Sequence, residues 1–187
     1  MSNWKAVRDF VENSEIWTEF IYREELDSTN RYLRHSEEVL PGTVVLADKQ
    51  THGQGSGTRK WYSPVGGLWF SFNLGGLTDL DTTELYVELL KLVQALLAEY
   101  GVETSVSRPN DLVVEDKKIA GLLIEESSGN YIVGIGINVN NEASGLPEAV
   151  RENSITMKEV TGEEVDRTKM LEDFLGQFED FYLKKEQ

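Results

Sequence analysis

The stretch "KKIAGLLIEESSGNYIVGIGINVN", residues 117–140, holds two apolar runs parted by Ser-Gly-Asn. Each run is too short for a helix of ordinary length and is rich in β-branched residues. The pair therefore reads as two strands joined in a hairpin. Taken singly, Gly134 and Gly136 mark a bulge in the second strand. Just upstream, "RPND" (108–111) forms a turn between strands at 102–107 and 112–115, with Asn110 and Asp111 as turn formers. Further strands are expected at 20–26, 42–50 and 66–74, the last with aromatics on both faces. Helices are expected over 3–13, from Asp27 or Ser28 with Tyr32 and Leu33 inward, over 81–101, near 147–152 and over about 166–184. The helix at 81–101 has apolar residues at 85, 89, 92, 93, 96 and 97 and a terminal glycine. These elements predict a single α+β domain with a mixed, mainly antiparallel sheet backed by helices.

Composition narrows the function. The chain has 187 residues, 40% of them hydrophobic, and no apolar run approaches the length of a membrane span. Its N-terminus carries acids and no continuous apolar core, so no signal peptide is expected. It lacks cysteine, which removes disulfides and thiolate chemistry and fits a cytoplasmic protein. Its two histidines, His35 and His52, are well separated, so no metal site is expected. A net charge of -15 argues against nucleic-acid binding, and a polyanionic ligand would need a local basic pocket.

One loop invites such a ligand. "KQTHGQGSGTRKWYSP" (49–64) alternates glycine with small polar residues and then presents Arg59, Lys60 and Trp61. It is not a Walker loop, since no glycine precedes Lys-Ser or Lys-Thr, nor a dinucleotide fingerprint, since it leads into a strand. It is either a flexible surface connection or a loop that orders over a ligand and offers it backbone N–H groups. Three other stretches stand with it: "DSTN" (27–30), "RPND" followed by "KKIAG", and "GIN" (136–138). Each has a plain explanation alone. Ser28 caps a helix, and Lys118 snorkels from a sheet edge.

In this order the stretches resemble the catalytic domain of biotin protein ligases, across about residues 20–140. The resemblance implies a fold related to class II aminoacyl-tRNA synthetases and lipoate or octanoyl transferases. It implies activation of biotin by ATP to biotinyl-5'-AMP, then transfer to a lysine on the carrier domain of a biotin-dependent carboxylase. Lys118 would orient the carboxylate and stabilise charge on the phosphate, and Asp111 would take the amine proton. Ser28, Thr29, Asn30, Gln50, Gly53, Gln54, Ser56, Lys118 and Gly121 fall at biotin-contacting positions. Arg59, Lys60, Trp61, Asn110 and Asn138 fall at positions that hold ATP or the adenylate, with Mg²⁺ bridging the triphosphate. No nucleic-acid or membrane partner is implied. Family members often dimerise, and no feature of this sequence decides that here.

The chain departs from the family at the loop. Gln54 and Ser56 match its first two loop arginines and are neutral, and only Arg59 is kept. Ser107-Arg108 stands where the family has Lys-Trp, so Lys60 and Arg108 are the cations placed to compensate. Neither an N-terminal winged helix nor a small C-terminal barrel is expected within the chain. Two alternatives follow: a paralogue that holds biotin or a related adenylate without efficient turnover, and a lipoyl or octanoyl transferase.

Overall fold

The hairpin read from residues 117–140 forms the middle of the sheet. The computed structural model describes residues 4–36, 39–75, 81–107, 109–127, 130–142 and 146–185. Along the chain run α1 (Lys5–Glu12), β1 (Glu19–Leu26), α2 (Thr29–His35), β2 (Thr43–Gln50), β3 (Leu68–Gly75), α3 (Thr82–Glu99) and β4 (Ser105–Ser107). They are followed by β5 (Asp111–Val114), β6 (Lys117–Ser127), β7 (Asn130–Ile137), α4 (Glu148–Glu152), α5 (Met157–Thr161) and α6 (Arg167–Lys185). The seven-stranded sheet has the order β1-β2-β3-β7-β6-β5-β4. Its first pair is parallel and the others are antiparallel, as a mixed, mainly antiparallel α+β sheet requires. The hairpin pairs from Ala120–Ile137 to Ser127–Asn130, and its tip at Ser128 and Gly129 lies outside the described residues.

Burial explains the patterns. Every residue of β3 is buried, because both faces of this central strand are covered. On one face Val44, Leu46, Phe70 and Phe72 join a large core with α1, α3 and α6. On the other, Val45 and Ile132 pack under Leu33 of α2. Tyr32, expected inward with Leu33, is only half-buried. In α3 the buried stripe includes Leu90, and Leu92 is half-buried.

Local chemistry bounds the helices. Asp81 and Glu84 form a reciprocal capping box at the start of α3. Its end is a Schellman motif: Val102 N–H donates to the Leu97 carbonyl and Gly101 N–H to that of Ala98, both at 2.9 Å, with Gly101 at φ +76°. The sequence reading missed α5, although Thr156 and Glu159 make the same capping box and Gly162 (φ +79°) closes the helix. Two readings are corrected. Lys118 is not at a sheet edge, because β6 lies between β7 and β5. Nor do Gly134 and Gly136 form a bulge, since the β3–β7 and β6–β7 registers run evenly through both.

Phe174 is the keystone between α6 and the sheet. It is fully buried, 5.1 Å from Phe70 and 6.0 Å from Phe72, ring centre to ring centre. Phe174→Ala should destabilise the fold by about 3–5 kcal/mol, measured by urea unfolding. A loss below about 1 kcal/mol would mean that α6 is not integral to the core.

Candidate active site

The site is built on the sheet face beneath α2. The chain leaves β1 at Leu26, and Ser28 caps α2 by accepting from the Arg31 amide at 3.4 Å. Burial works to raise the Asp27 carboxyl. The Ser28 amide donating at 2.6 Å and Arg31 at 2.9 Å outweigh it and hold the group below its usual range. This short helix sets Thr29 and Asn30 against the sheet, where both are buried.

There they enter a chain of hydrogen bonds. Gln50 Nε2 donates to Ser63 Oγ at 2.7 Å, and Gln50 Oε1 accepts from the Thr29 amide at 2.8 Å. Thr29 Oγ1 meets Ser71 Oγ at 2.6 Å, and Ser71 donates to Asn30 Oδ1 at 2.6 Å. Asn30 Nδ2 donates to Glu125 at 2.9 Å, and Glu125 pairs with Arg34. Ser63, Ser71, Glu125 and Arg34 were not singled out in the sequence. The one available signal was Ser71, a lone hydroxyl inside the apolar run "LWFSF".

The glycines of the hairpin clear space for this apparatus. A Cβ on Gly134 would lie 2.1 Å from Asn30 Oδ1. One on Gly136 would lie 2.6 Å from the Trp61 indole, and one on Gly121 3.0 Å from both Trp61 and Lys118 Cε. Trp61 thus lies flat over a floor without side chains, braced edge-on by Trp69 at 6.1 Å.

Lys118 stands at the junction. Its Nζ is 2.7 Å from Asp111 Oδ1 and 4.6 Å from the centre of the Trp61 ring. A bulge delivers it there. Leu112 pairs with Ala120 but Val113 pairs with Lys118, leaving Ile119 as an extra residue on β6. Lys118 and Gly121 thereby point to one side, which strict alternation would forbid. The backbone of Lys118 is also clamped by the segment before α5: its N–H donates to the Asn153 carbonyl at 2.9 Å, and its carbonyl accepts from the Ile155 amide at 3.0 Å.

Two spaces meet at Trp61 and Lys118. The first and more enclosed, about 160 Å³, is lined by Ser28, Thr29, Asn30, Gln50, Gln54, Ser56, Arg59, Lys60, Asn110, Asp111 and Gly121 among others. A neighbouring cleft of about 230 Å³ is lined by Lys60, Tyr62, Asn138 and α4 residues. Of the expected site residues, all but Gly53 line one or both of these spaces. Asn138 borders the second cleft, where its amide donates to the Lys118 carbonyl at 3.2 Å. Gly53 is buried and lines a third cleft on the same loop. Asn110 donates through Nδ2 to the Leu122 carbonyl at 2.8 Å, fixing the turn before β5. The loop closes on itself, with Gly55 N–H donating to Arg59 and Trp61 N–H to Gly53, both at 2.9 Å. Arg59 bonds back to Ser56, through the Ser56 carbonyl at 3.2 Å and its hydroxyl. Arg108 lies outside the described residues.

The profile of the Biotin/lipoate A/B protein ligase family matches residues 22–141. The Bifunctional ligase/repressor BirA of Bacillus subtilis is 32% identical over 172 residues, covering 87% of this chain and 53% of that protein. The Biotin--[acetyl-CoA-carboxylase] ligase of Paracoccus denitrificans is 32% identical over 133 residues, covering 66% and 54%. The biotin protein ligase from Aquifex aeolicus, solved in complex with biotin and ATP, superposes with a TM-score of 0.80 at 37% identity, covering 90% of this chain and 72% of that one. This chain spans about half the length of the curated relatives it matches. No helix among the described residues is long and apolar enough to cross a membrane. With its sheet topology and its matched motifs, the chain belongs to the biotin/lipoate A/B protein ligase family and carries the catalytic-domain fold of biotin protein ligases.

Proposed function

We propose that this chain condenses biotin with ATP to biotinyl-5'-AMP and passes the biotinyl group to a lysine of a carrier domain. The observation that carries this reading is Lys118, paired with Asp111 where a polar cavity and a second cleft meet. An acid in the first space and a nucleotide in the second would bring their reacting groups together at that ammonium. The Aquifex aeolicus protein, which was solved with both biotin and ATP, supports the pairing of ligands.

In the first step a biotin carboxylate oxygen attacks the α-phosphorus, the bond to the α–β bridging oxygen breaks, and pyrophosphate leaves. Lys118 draws the two anions together and offsets charge on the α-phosphate oxygens. Trp61 covers the junction and excludes water. In the second step the carrier amine attacks the acyl carbon, the acyl–oxygen bond breaks, and AMP leaves. Asp111 takes the amine proton. Among the described residues, Asp111 is the one carboxylate lining the first cavity, and no cluster of three or more candidate metal ligands occurs. These residues do not fit a resident metal, so Mg²⁺ enters as part of the nucleotide substrate.

Biotin-dependent exchange of pyrophosphate into ATP tests the reading, with octanoate and lipoate as alternative substrates. Exchange supported by octanoate or lipoate but not biotin would reassign the chemistry to lipoyl or octanoyl transfer. Biotin binding without exchange would favour the non-catalytic paralogue, for which the neutral Gln54 and Ser56 and the self-bonded Arg59 speak.

The same loop yields a prediction about release. Neutral residues at 54 and 56 leave the adenylate phosphate with fewer charged contacts. Gln54→Arg with Ser56→Arg should slow dissociation of preformed biotinyl-AMP by about tenfold for each 1.4 kcal/mol regained. Stopped-flow release rates of wild type and double variant decide it. Equal rates would place the phosphate out of reach of positions 54 and 56.

A further inference from the structure

The far end of the hydrogen-bond chain, away from Lys118, is anchored by a carboxylate. Glu125 lies on β6 and is mostly shielded, with its side chain 23% exposed and paired to Arg34 of α2. Its carboxylate can only accept hydrogen bonds. The atom it accepts from is Asn30 Nδ2, at 2.9 Å. That contact settles which way the Asn30 amide faces: nitrogen to Glu125, oxygen to Ser71.

The consequence propagates. Asn30 Oδ1 has no proton, so Ser71 must donate across their 2.6 Å contact. A hydroxyl has one proton, so Ser71 can then only accept from Thr29, and the Thr29 hydroxyl must donate across its own 2.6 Å contact. Its longer contact to Gln50 Oε1, at 3.2 Å, is left without that proton. Gln50 Oε1 is served by the Thr29 amide N–H at 2.8 Å instead, which aims Gln50 Nε2 at Ser63. Among the described residues, the Thr29 hydroxyl oxygen then accepts no hydrogen bond and keeps its lone pairs for a ligand N–H. Were Asn30 reversed, Ser71 would accept from Asn30 and donate to Thr29, and Thr29 would turn its proton to Gln50. Both hydroxyl bonds, Thr29–Ser71 and Ser71–Asn30, would run the other way, while Gln50 would keep its facing.

We propose that Glu125, held by Arg34, is a positioning residue that sets the proton polarity of the relay Asn30–Ser71–Thr29, and so makes the buried end of the cavity an acceptor for a cyclic urea N–H. This rests on the reading of the first cavity as a biotin site. The relay suits a lock of this kind. Asn30, Ser71 and Thr29 are each at most 3% exposed, so water cannot repair a reversed bond. Gly134 admits Asn30 so closely that the amide has little room to move elsewhere.

Glu125→Gln tests the polarity while keeping size and shape, because Arg34 can only donate and so holds the amide oxygen, which turns the amide NH2 toward Asn30. Biotin binding is measured by titration calorimetry on wild type, Glu125→Gln, Ser71→Ala and the double variant, with melting temperature alongside. Both single variants should weaken biotin binding by about tenfold or more, the scale of one buried polar group left without its partner. The double variant should be no weaker than the weaker single, because each change cuts the same relay. A merely structural role would instead lower the melting temperature of both variants and give additive losses. Additive losses, or an unchanged affinity in Glu125→Gln, would overturn the proposal, and Ser71→Ala decides the matter if Glu125→Gln fails to fold. A wild type that binds biotin but exchanges no pyrophosphate would sink the catalytic reading and leave this test intact. A wild type that binds no biotin would overturn both.

Discussion

Lys118→Ala is expected to lower biotin-dependent pyrophosphate exchange by at least about a hundred- to a thousand-fold, the cost of removing one preorganised donor to a developing charge. The lysine lines both spaces and is in direct contact with Asp111. Stability needs a separate readout. Asp111 has a side chain only 6% exposed, and truncating its partner leaves a nearly buried charge. Lys118 itself is 31% exposed, so solvent screens part of that penalty. Lys118→Ala combined with Asp111→Asn relieves it. The expected outcome is a double variant that melts near wild type and remains inactive. Near-native exchange in Lys118→Ala would remove the lysine from the chemistry and leave it as a packing partner for Trp61.

Gly134→Ala is expected to be as damaging to binding as a far larger change elsewhere. The added methyl would sit 2.1 Å from Asn30 Oδ1, closer than any non-bonded contact tolerates. Asn30 cannot swing away without breaking its bonds to Ser71 and Glu125. Overpacking of this kind costs about 1–3 kcal/mol of stability, and the displaced amide should also weaken biotin binding by about tenfold or more. Gly176→Ala supplies the contrast. It lies within α6, where a Cβ would meet the Phe10 ring at an ordinary 3.7 Å, and alanine is the better helix former. That variant should melt at or slightly above wild type and bind biotin normally. Equal behaviour of the two variants, by calorimetry and thermal melts, would show that the floor of the site has more slack than its geometry implies.

Much of the fold was legible because periodicity and punctuation are local. The hairpin at 117–140, the acidic start of α3 and its Gly101 stop each declare themselves within a few residues, since strand alternation and helix caps are short-range rules. The missed α5 was legible too, through its Thr156–Glu159 capping box. The matched motifs also named most residues of the site, from Ser28 to Lys118.

What the sequence by itself determined is therefore the class of fold, the order of its elements and the kinds of side chain available for chemistry. Tertiary structure alone decided which of them meet. Nothing local says that Gly134 and Gly136 serve as clearance for Asn30 and Trp61, since the clearance exists only once α2 and the loop lie on the sheet. Nor does local alternation place Lys118 beside Asp111; the extra residue Ile119 against β5 does so, and a bulge is a property of two paired strands. Glu125 and Asn30 are 95 residues apart in sequence and 2.9 Å apart in space. The facing of the Asn30 amide, and with it the direction of the Ser71 and Thr29 hydroxyl bonds, hangs on that contact, because a carboxylate can only accept and a single hydroxyl proton can point only one way.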